Sequence, residues 1–333
     1  MSLGRIRLLL LAILLAAAAY AAWYREPPPP SLAGVGVLMV FDITQSMQVE
    51  DVQVAGRAVS RLGLAKRAAM RAIESLPCGV SVGAGVFTAH RSVLLYSPVE
   101  ICGNRAELMQ SIELIDTNMA WSGNSEVAKG YYGSLALARA LPDRPALVFL
   151  TDGHEAPPIN PRHRPAFNGE AGEVRATLVG LGGALPVPIP KRDPTGRRLG
   201  FWNAEEVMQV DTYSQPRTAS SPDRLVSTER ATEDDLRATG TPGSEHLSSL
   251  RTDYLQLLAA ETGAGYRTVT AEGQLPEVVT SLLSISLAAA PIPLRRLAMF
   301  TALAAAVAFY CLGLLGWHRL RPAKRVRSPT LTA

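Results

Sequence analysis

Cysteine and aromatic residues are scarce in this chain: three of its 333 residues are cysteine, and 6% are aromatic. The sequence has no Cys-x-x-Cys pair and no Cys/His spacing typical of a zinc site. It also has no Gly-x-x-x-x-Gly-Lys-Ser/Thr loop, the phosphate cradle of P-loop ATPases. These absences argue against zinc or dithiol chemistry, and any ATP hydrolysis would have to come from a partner.

The chain also has little charge imbalance, with 33 basic and 29 acidic residues and a formal net charge of +4. The basic excess is concentrated near the C-terminus, from His318 to Arg327. Basic residues are not interleaved with aromatic ones, as they are on many nucleic-acid-binding surfaces. We therefore expect no nucleic-acid partner.

Two apolar runs lie near the ends of the chain. Leu8 to Trp23 follows Arg5 and Arg7, and Leu297 to Trp317 is about 21 residues without a charge. Twenty residues of helix cross a bilayer core of about 30 Å, so the second run predicts a membrane span. The first predicts an uncleaved anchor. The alternative is a cleaved signal peptide, because Ala19-Tyr20-Ala21 resembles a signal-peptidase site.

Basic residues flank both runs on the side of the nearer chain terminus. By the positive-inside rule, this pattern predicts that both termini are cytoplasmic and that the part between the runs is exported, in a bacterium to the periplasm. The sequence thus predicts a protein of the bacterial inner membrane, in contact with lipid. It has an anchor over 1–24, a second span over 297–317 and a basic cytoplasmic tail over 318–333.

Between these segments, the hydrophobic pattern predicts strands that alternate with amphipathic helices. Such alternation is typical of an α/β domain with a doubly wound, mostly parallel sheet and flanking helices. We place this domain at 36–290, after a stiff Pro-rich linker at 25–35. An insertion near 185–250 interrupts it, with a hairpin from Pro186 to Trp202 and a polar stretch from Thr212 to Ser249.

Two of the cysteines, Cys78 and Cys102, lie in the exported part of the chain. Disulfides form and persist in oxidising compartments, so we predict that the two are bridged; two free buried thiols are the alternative. The third, Cys311, lies in the second apolar run, where it is a packing residue.

Hydroxyl and carboxylate residues follow two apolar runs that are typical of buried strands. Val37 to Phe41 is followed by Asp42, Thr44 and Ser46, and Ala146 to Leu150 is followed by Thr151-Asp152-Gly153. Open α/β sheets bind ligands where such strand ends meet. Hard oxygen ligands of this kind suit Mg²⁺, so the pattern predicts a metal site. The alternative is structural: Asp42 would cap a helix and Asp152 a turn.

This pattern resembles the metal-ion-dependent adhesion site of von Willebrand factor A domains, which is Asp-x-Ser-x-Ser with a distant Thr and a distant Asp. Here Thr44 replaces the first Ser, and Ser125 is placed at the distant Thr, with Ser122 as the rival. The resemblance implies that Thr44, Ser46 and Ser125 offer hydroxyls, directly or through water. Asp42 and Asp152 would act through water or as hydrogen-bond acceptors. It also implies a divalent cation, Mg²⁺ first and Ca²⁺ or Mn²⁺ next, whose coordination an acidic residue of a partner completes.

The layout of the whole chain resembles a narrower group, the bacterial Bat proteins and the MxaL type of methanol-oxidation accessory protein. Asp42-Ile43-Thr44-Gln45-Ser46 is closer to the MxaL type. This resemblance implies a non-enzymatic module that assists assembly of a client, such as calcium insertion into methanol dehydrogenase, alongside a MoxR-type ATPase. A Bat-like structural scaffold in an envelope complex is the alternative.

Other residues near these turns are candidates for a rim that contacts a partner. Trp121, His154 and Glu155 are assigned to it, although His154-Glu155 would also suit an ordinary solvated loop. Tyr131-Tyr132 would suit either the rim or a helix core. A metal-dependent hydrolase with Ser46 as nucleophile is less consistent with the sequence, because no Gly-x-Ser-x-Gly elbow surrounds that residue.

Glu50 and Asp51 follow the first metal turn directly. They would hold a second ion, repel wrong ligands, or favour the entry of a helix, since acidic residues are stabilising near a helix N-terminus.

Overall fold

The computed structural model describes residues 3–23, 32, 34–159, 164–193, 195–207, 244–284 and 294–319. The chain divides into two compact units, one formed by Met1–Pro30 with Leu287–Ala333 and the other by Ser31–Ser286. Most of the Pro-rich linker and of the polar insertion, and nearly all of the basic tail, lie outside the described residues.

The unit formed by the two ends contains two helices, α1 (Leu3–Trp23) and α7 (Leu294–Arg319), which contact each other. The two predicted membrane segments fall on these helices. In the described part of the chain, however, no helix is both long enough and apolar enough to cross a membrane.

The unit from Ser31 to Ser286 is built on one six-stranded sheet with helices on both faces. Its elements are β1 (Gly36–Asp42), β2 (Val52–Val54), β3 (Arg57–Val59), α2 (Arg61–Ser75), β4 (Ser81–Thr88), β5 (Arg91–Glu100), α3 (Ile101–Glu113), α4 (Val127–Ala140), β6 (Ala146–Thr151), β7 (Ala176–Leu181), β8 (Val187–Pro188), β9 (Pro190–Arg192), β10 (Arg198–Phe201), β11 (Leu247–Ser248), α5 (Thr252–Thr262), β12 (Gly265–Val269) and α6 (Leu275–Leu282). The strand order of the sheet is β12-β7-β6-β1-β4-β5, and every neighbouring pair is parallel except β4 with the edge strand β5. The predicted doubly wound α/β fold is therefore what the structure shows.

The central strands are buried on both faces, which explains why they read as continuous apolar runs rather than as an alternating pattern. All seven residues of β1 and all six of β6 are buried. On one face, Val37, Met39 and Phe41 pack with α2, α3 and α6. On the other, Leu38 and Val40 pack with α4 and α5.

The insertion contributes short paired segments beside the sheet. The predicted hairpin is present as β9 paired antiparallel with β10. A second pair joins β8 to β11, so the chain returns from the polar stretch to the strand at which the insertion began. A further hairpin, formed by β2 and β3, precedes α2 and was not predicted.

A disulfide joins Cys78 to Cys102, with a Cα–Cα distance of 5.3 Å. It links the connection before β4 to the first turn of α3. Within the described ranges, Cys78, Glu100 and Cys102 are also the one group of three His, Cys, Asp or Glu side chains close enough to share a metal. The disulfide removes both thiolates, so this group is not a metal site.

Candidate metal centre

The candidate site lies where β1 and β6 end, side by side. These two strands are parallel neighbours, with Phe41 opposite Leu150, so Asp42 and Asp152 follow at the same edge of the sheet. From β1 the chain builds outward to β4 and β5 and then crosses to β6 on the other side. The site is thus at the point where the strand order reverses, the usual ligand position in open α/β sheets.

Asp42 is fully buried and is held by three hydrogen bonds from neighbouring side chains and backbone. Its Oδ1 accepts from the backbone N of Thr44 (2.9 Å) and from Thr44 Oγ1 (2.7 Å), and its Oδ2 accepts from Thr151 Oγ1 (2.6 Å). Burial and the nearby charge of Asp152 raise the pKa of Asp42 to about 7, although these hydrogen bonds oppose the shift. A cation bound near Asp42 would stabilise its ionised form and so replace the proton that the raised pKa favours.

The hydroxyls of the first turn connect the two acidic residues. Thr44 Oγ1 lies 3.3 Å from Ser46 Oγ, which in turn donates to Asp152 Oδ1 at 3.1 Å. All of these side chains are buried. Residues 42, 44, 46 and 152 therefore form one continuous cluster of oxygen atoms, as the sequence pattern predicted from the strand ends.

Arg61, the first residue of α2, is a member of this network that sequence analysis missed. Its side chain is fully buried, and its Nη1 donates to Asp152 Oδ2 at 2.5 Å and to Ser248 Oγ at 2.6 Å. Nη2 pairs with Asp51 Oδ2 at 2.6 Å. Although burial opposes ionisation of Asp152, the Arg61 guanidinium holds the pKa of this carboxyl below its usual value.

Space for the Arg61 guanidinium is provided by Gly182 at the end of β7. A Cβ atom there would lie 2.4 Å from Arg61 Nε, and the φ angle of Gly182 is +115°, in the region that favours glycine. The neighbouring backbone N of Gly183 donates to Asp51 Oδ2 at 2.8 Å. Asp51 is therefore an ion-pair partner of Arg61. Its neighbour Glu50 pairs with Arg192 at 2.7 Å.

Ser125 enters the site from a loop held on both sides by backbone hydrogen bonds. The backbone N of Ser125 donates to the backbone O of Ala156 at 2.6 Å, and its backbone O accepts from the backbone N of Ala156 at 2.8 Å. The residues on either side of Ser125 form backbone hydrogen bonds with Ala89. Ser125 is 2% exposed, and its Oγ has no hydrogen-bond partner in the described part of the chain. The rival, Ser122, instead accepts from the backbone N of Asn124 at 3.1 Å. Of the two hydroxyls, that of Ser125 is the one buried without a hydrogen-bond partner in the described part of the chain.

This donor set fits a divalent cation of the hard kind. It offers two carboxylates and three hydroxyls, and buried polar atoms such as Ser125 Oγ are rarely left without a partner in native proteins. Thr44, Ser46 and Ser125 would hold the ion through oxygen. Asp42 and Asp152 are already bound to hydroxyl, amide and guanidinium groups and would act on it through water. The ion would supply a positive charge that can accept one more carboxylate.

A cavity of about 230 Å³ opens over these residues. One wall consists of Thr44, Ser46 and Ser125 together with His154. Another part of the lining comes from the insertion and consists of Ile189, Trp202, Glu206, Val207 and Glu245. The candidate site is therefore partly covered by the insertion, a feature that the sequence pattern did not reveal.

His154 and Glu245 both line this cavity and lie close together. His154 Nε2 lies 3.7 Å from Glu245 Oε2, and both side chains are 2% exposed. Burial lowers the pKa of His154 to about 4, against the attraction of Asp152, so the imidazole is neutral at pH 7. Burial also raises the pKa of Glu245 to about 7, while Arg251 opposes that shift.

The residues predicted to form a rim have three different environments. Trp121 is 55% exposed, as a rim residue would be. His154 is a buried cavity wall, not a solvated loop residue. Glu155 is also buried and does not line the cavity: its Oε1 accepts from Tyr254 Oη at 2.5 Å and from the backbone N of Ala128 at 3.0 Å. The assignment of Glu155 to a rim is therefore wrong, because the start of α4 needs its carboxyl.

The tyrosine pair belongs to the core side of its helix. Tyr131 is fully buried, and its hydroxyl lies 2.9 Å from Thr262 Oγ1. Tyr132 donates to Glu261 Oε2 at 2.8 Å. Both hydroxyls thus join α4 to α5.

No protein-family model and no curated protein matches this chain. Solved structures similar to it include an aerotolerance-related membrane protein from Bacteroides fragilis with multiple mutations to serines (18% identity, 75% of this chain, 98% of that chain, TM-score 0.46). They also include a von Willebrand factor type A protein from Catenulispora acidiphila (12%, 76% and 42%, 0.36) and an uncharacterised membrane-spanning protein from Vibrio fischeri (15%, 75% and 97%, 0.27).

These neighbours include the two classes that the sequence predicted, von Willebrand factor A domains and a Bat-like membrane protein. This chain spans 42% of the length of the Catenulispora protein. All identities and TM-scores are low, so the residues of the site carry the functional argument.

Proposed function

We propose that this protein is a metal-dependent protein-binding module, and not an enzyme. The observation that carries the proposal is the unpaired, buried Ser125 hydroxyl facing the same cavity as Thr44 and Ser46, with two carboxylates behind them. A divalent ion bound by these oxygens leaves a position for a further carboxylate, which is a means of recognising a protein partner.

The bonding of Ser46 supports recognition over hydrolysis. A nucleophilic serine is activated by a base within hydrogen-bond reach. The group that accepts from Ser46 Oγ is the carboxylate of Asp152, which is a weak base because the Arg61 guanidinium holds its pKa below the usual value. The His154 ring nitrogens have no hydrogen-bond partner among the described residues, so this histidine is not placed as a general base for the hydroxyl either.

Metal binding can be tested by titrating the full-length protein with Mg²⁺ and following its thermal unfolding. An ion at 100 times its Kd stabilises the folded state by about 2.7 kcal/mol. We expect this stabilisation for the wild type and for Glu107→Ala, which removes an exposed carboxylate of α3, but not for Asp42→Ala. Equal stabilisation of Asp42→Ala would remove the ion from this site.

The client and the cellular location remain proposals from the sequence. The resemblance to the MxaL type suggests calcium insertion into methanol dehydrogenase with a MoxR-type ATPase, in a periplasmic domain held at the inner membrane. Capture of methanol dehydrogenase by the wild type, with and without a chelator, tests this client. Capture that is unchanged by the chelator would take the metal out of the mechanism.

A further inference from the structure

The insertion limits what the cavity over the metal site can hold. Its volume of about 230 Å³ is below the roughly 300–1,000 Å³ of small-molecule pockets and is equivalent to about eight water molecules. An ion with part of its water shell and one side chain fits such a space.

The charges around the cavity favour the binding of a cation over the binding of an anion. Its described lining contains two acidic residues, Glu206 and Glu245, and neither lysine nor arginine. Asp42 and Asp152 add negative charge behind the first wall, and Arg61 pairs with Asp152 and Asp51. A carboxylate of a partner protein that enters the cavity would therefore meet the carboxylates of Glu206 and Glu245, which already line it.

Both insertion carboxylates line the cavity, but their surroundings differ. Glu206 is bound locally, since it pairs with Lys191 at 2.7 Å and accepts from the backbone N of Asn203 at 3.1 Å. Glu245 is 3% exposed, and its Oε2 lies 3.7 Å from Nε2 of His154, which also lines the cavity. The two residues form a natural pair for comparison.

The backbone around Glu245 is fixed close to the metal loops. Its neighbour His246 accepts from the backbone N of Ile189 at 3.0 Å, and Ser248 binds Arg61 through Oγ and through its backbone O. Arg61 also holds Asp152. One buried guanidinium thus positions both the metal-loop carboxylate and the segment that bears Glu245.

We propose that Glu245 is the acidic residue that completes the cation site from within the chain. The inference rests on the proposed metal site and assigns to the insertion the role that a partner's carboxylate would otherwise have. Ser125 Oγ, buried and without a partner in the described part of the chain, faces the same cavity and is the independent sign of a missing ligand. A partner that binds through the ion must first displace Glu245.

The test compares Glu245→Gln with Glu206→Gln in the full-length protein, with Mn²⁺ affinity measured by electron paramagnetic resonance and Mg²⁺ affinity by calorimetry. Loss of a charged group beside an ion typically weakens binding 10- to 100-fold. We expect Glu245→Gln to weaken both ions at least about tenfold, and Glu206→Gln to leave them within about twofold.

A second readout is protection of the insertion from trypsin by Mg²⁺, at Lys191 and Arg192. We expect protection in the wild type and in Glu206→Gln, and none in Glu245→Gln. Unchanged affinity and protection in Glu245→Gln, with binding abolished by Asp42→Ala, would overturn this inference and leave the proposed function standing. If the wild type binds neither Mn²⁺ nor Mg²⁺, both the proposed function and this inference are contradicted.

Discussion

At the scale of single residues, Glu155 shows how a buried carboxyl makes stability depend on pH. Burial raises its pKa from the ordinary value of 4.5 to about 8, against the hydrogen bonds from Tyr254 and Ala128. Below pH 4.5 the group is protonated in both the folded and the unfolded chain. Above pH 4.5 the Glu155 carboxyl ionises in the unfolded chain before it does so in the folded chain. The contribution of Glu155 to stability is therefore lost as the pH rises toward about 8.

We therefore expect Glu155→Gln to unfold with a weaker pH dependence than the wild type. As the pH rises from 5 to 8, the unfolding free energy of the wild type should fall relative to that of Glu155→Gln, by at most about 1.4 kcal/mol per pH unit. Urea unfolding at a series of pH values measures it. Glu107→Gln, at an exposed position, serves as the control. A pH-independent difference between wild type and Glu155→Gln would show that Glu155 is ionised in the fold.

The site residues that the sequence predicted share one property, which is that each follows a strand or opens a helix with a readable pattern. Asp42, Thr44, Ser46 and Asp152 lie directly after two apolar strands. Arg61 and Glu245 were missed because they reach the site from elements with no sequence signal for it. Arg61 contacts Asp152 across 91 positions of the chain, and the burial of His154 and Glu155 depends on the same tertiary packing.

At the scale of elements, the contact between α4 and β4 depends on a helical glycine. A Cβ at Gly130 would lie 2.1 Å from two ring atoms of Phe87, which is fully buried beside Phe149. In the same helix, a Cβ at Gly133 would meet nothing within 4 Å. The two positions share backbone conformation and differ in packing alone.

We expect Gly130→Ala to destabilise the protein by about 1–3 kcal/mol through overpacking. Gly133→Ala should instead stabilise it by about 0.5–1 kcal/mol, because alanine loses less backbone entropy in a helix. Chemical unfolding of the two variants beside the wild type measures both. Similar values for the two would mean that α4 can shift away from the sheet at little cost.

Helices and buried strands were predictable because their periodicity and end signals are local. The apolar spacing within α2, found at Arg61–Ser75, is that of a helix, and the predicted strand at Ala146–Leu150 extends by one residue. The start of α3 at Ile101 has no such local pattern, since Glu100 caps a first turn that is separated from the rest by a kink at Asn104. The three-residue strands β2 and β3 are too short to show a period, and only their pairing reveals them.

At the scale of the whole molecule, both hydrophobic cores belong to a single unit. Every residue of the two clusters, including the partly buried residues packed on them, lies between Leu32 and Leu283. Among the described residues, the apolar packing of the sheet and its helices therefore lies within the unit from Ser31 to Ser286.

We expect residues 31–286 expressed alone to fold and to melt cooperatively, within about 4 °C of the same transition in the full chain. Circular dichroism during heating measures this. In cell fractionation, the full chain should stay with the membrane pellet under alkaline extraction, and 31–286 should be released. A full chain that is released as well would contradict the membrane attachment predicted from the terminal runs.

The glycine that accommodates the Arg61 guanidinium has a consequence for how this sequence can change. Because a Cβ at position 182 would occupy the space of Arg61 Nε, substitutions at these two positions are not independent. A larger residue at 182 would be strained by the φ angle of +115° even with a smaller residue at 61, and that exchange would leave Asp51 and Asp152 without their shared cation. Arg61, Gly182 and the two aspartates therefore form a unit in which each member restricts changes at the others.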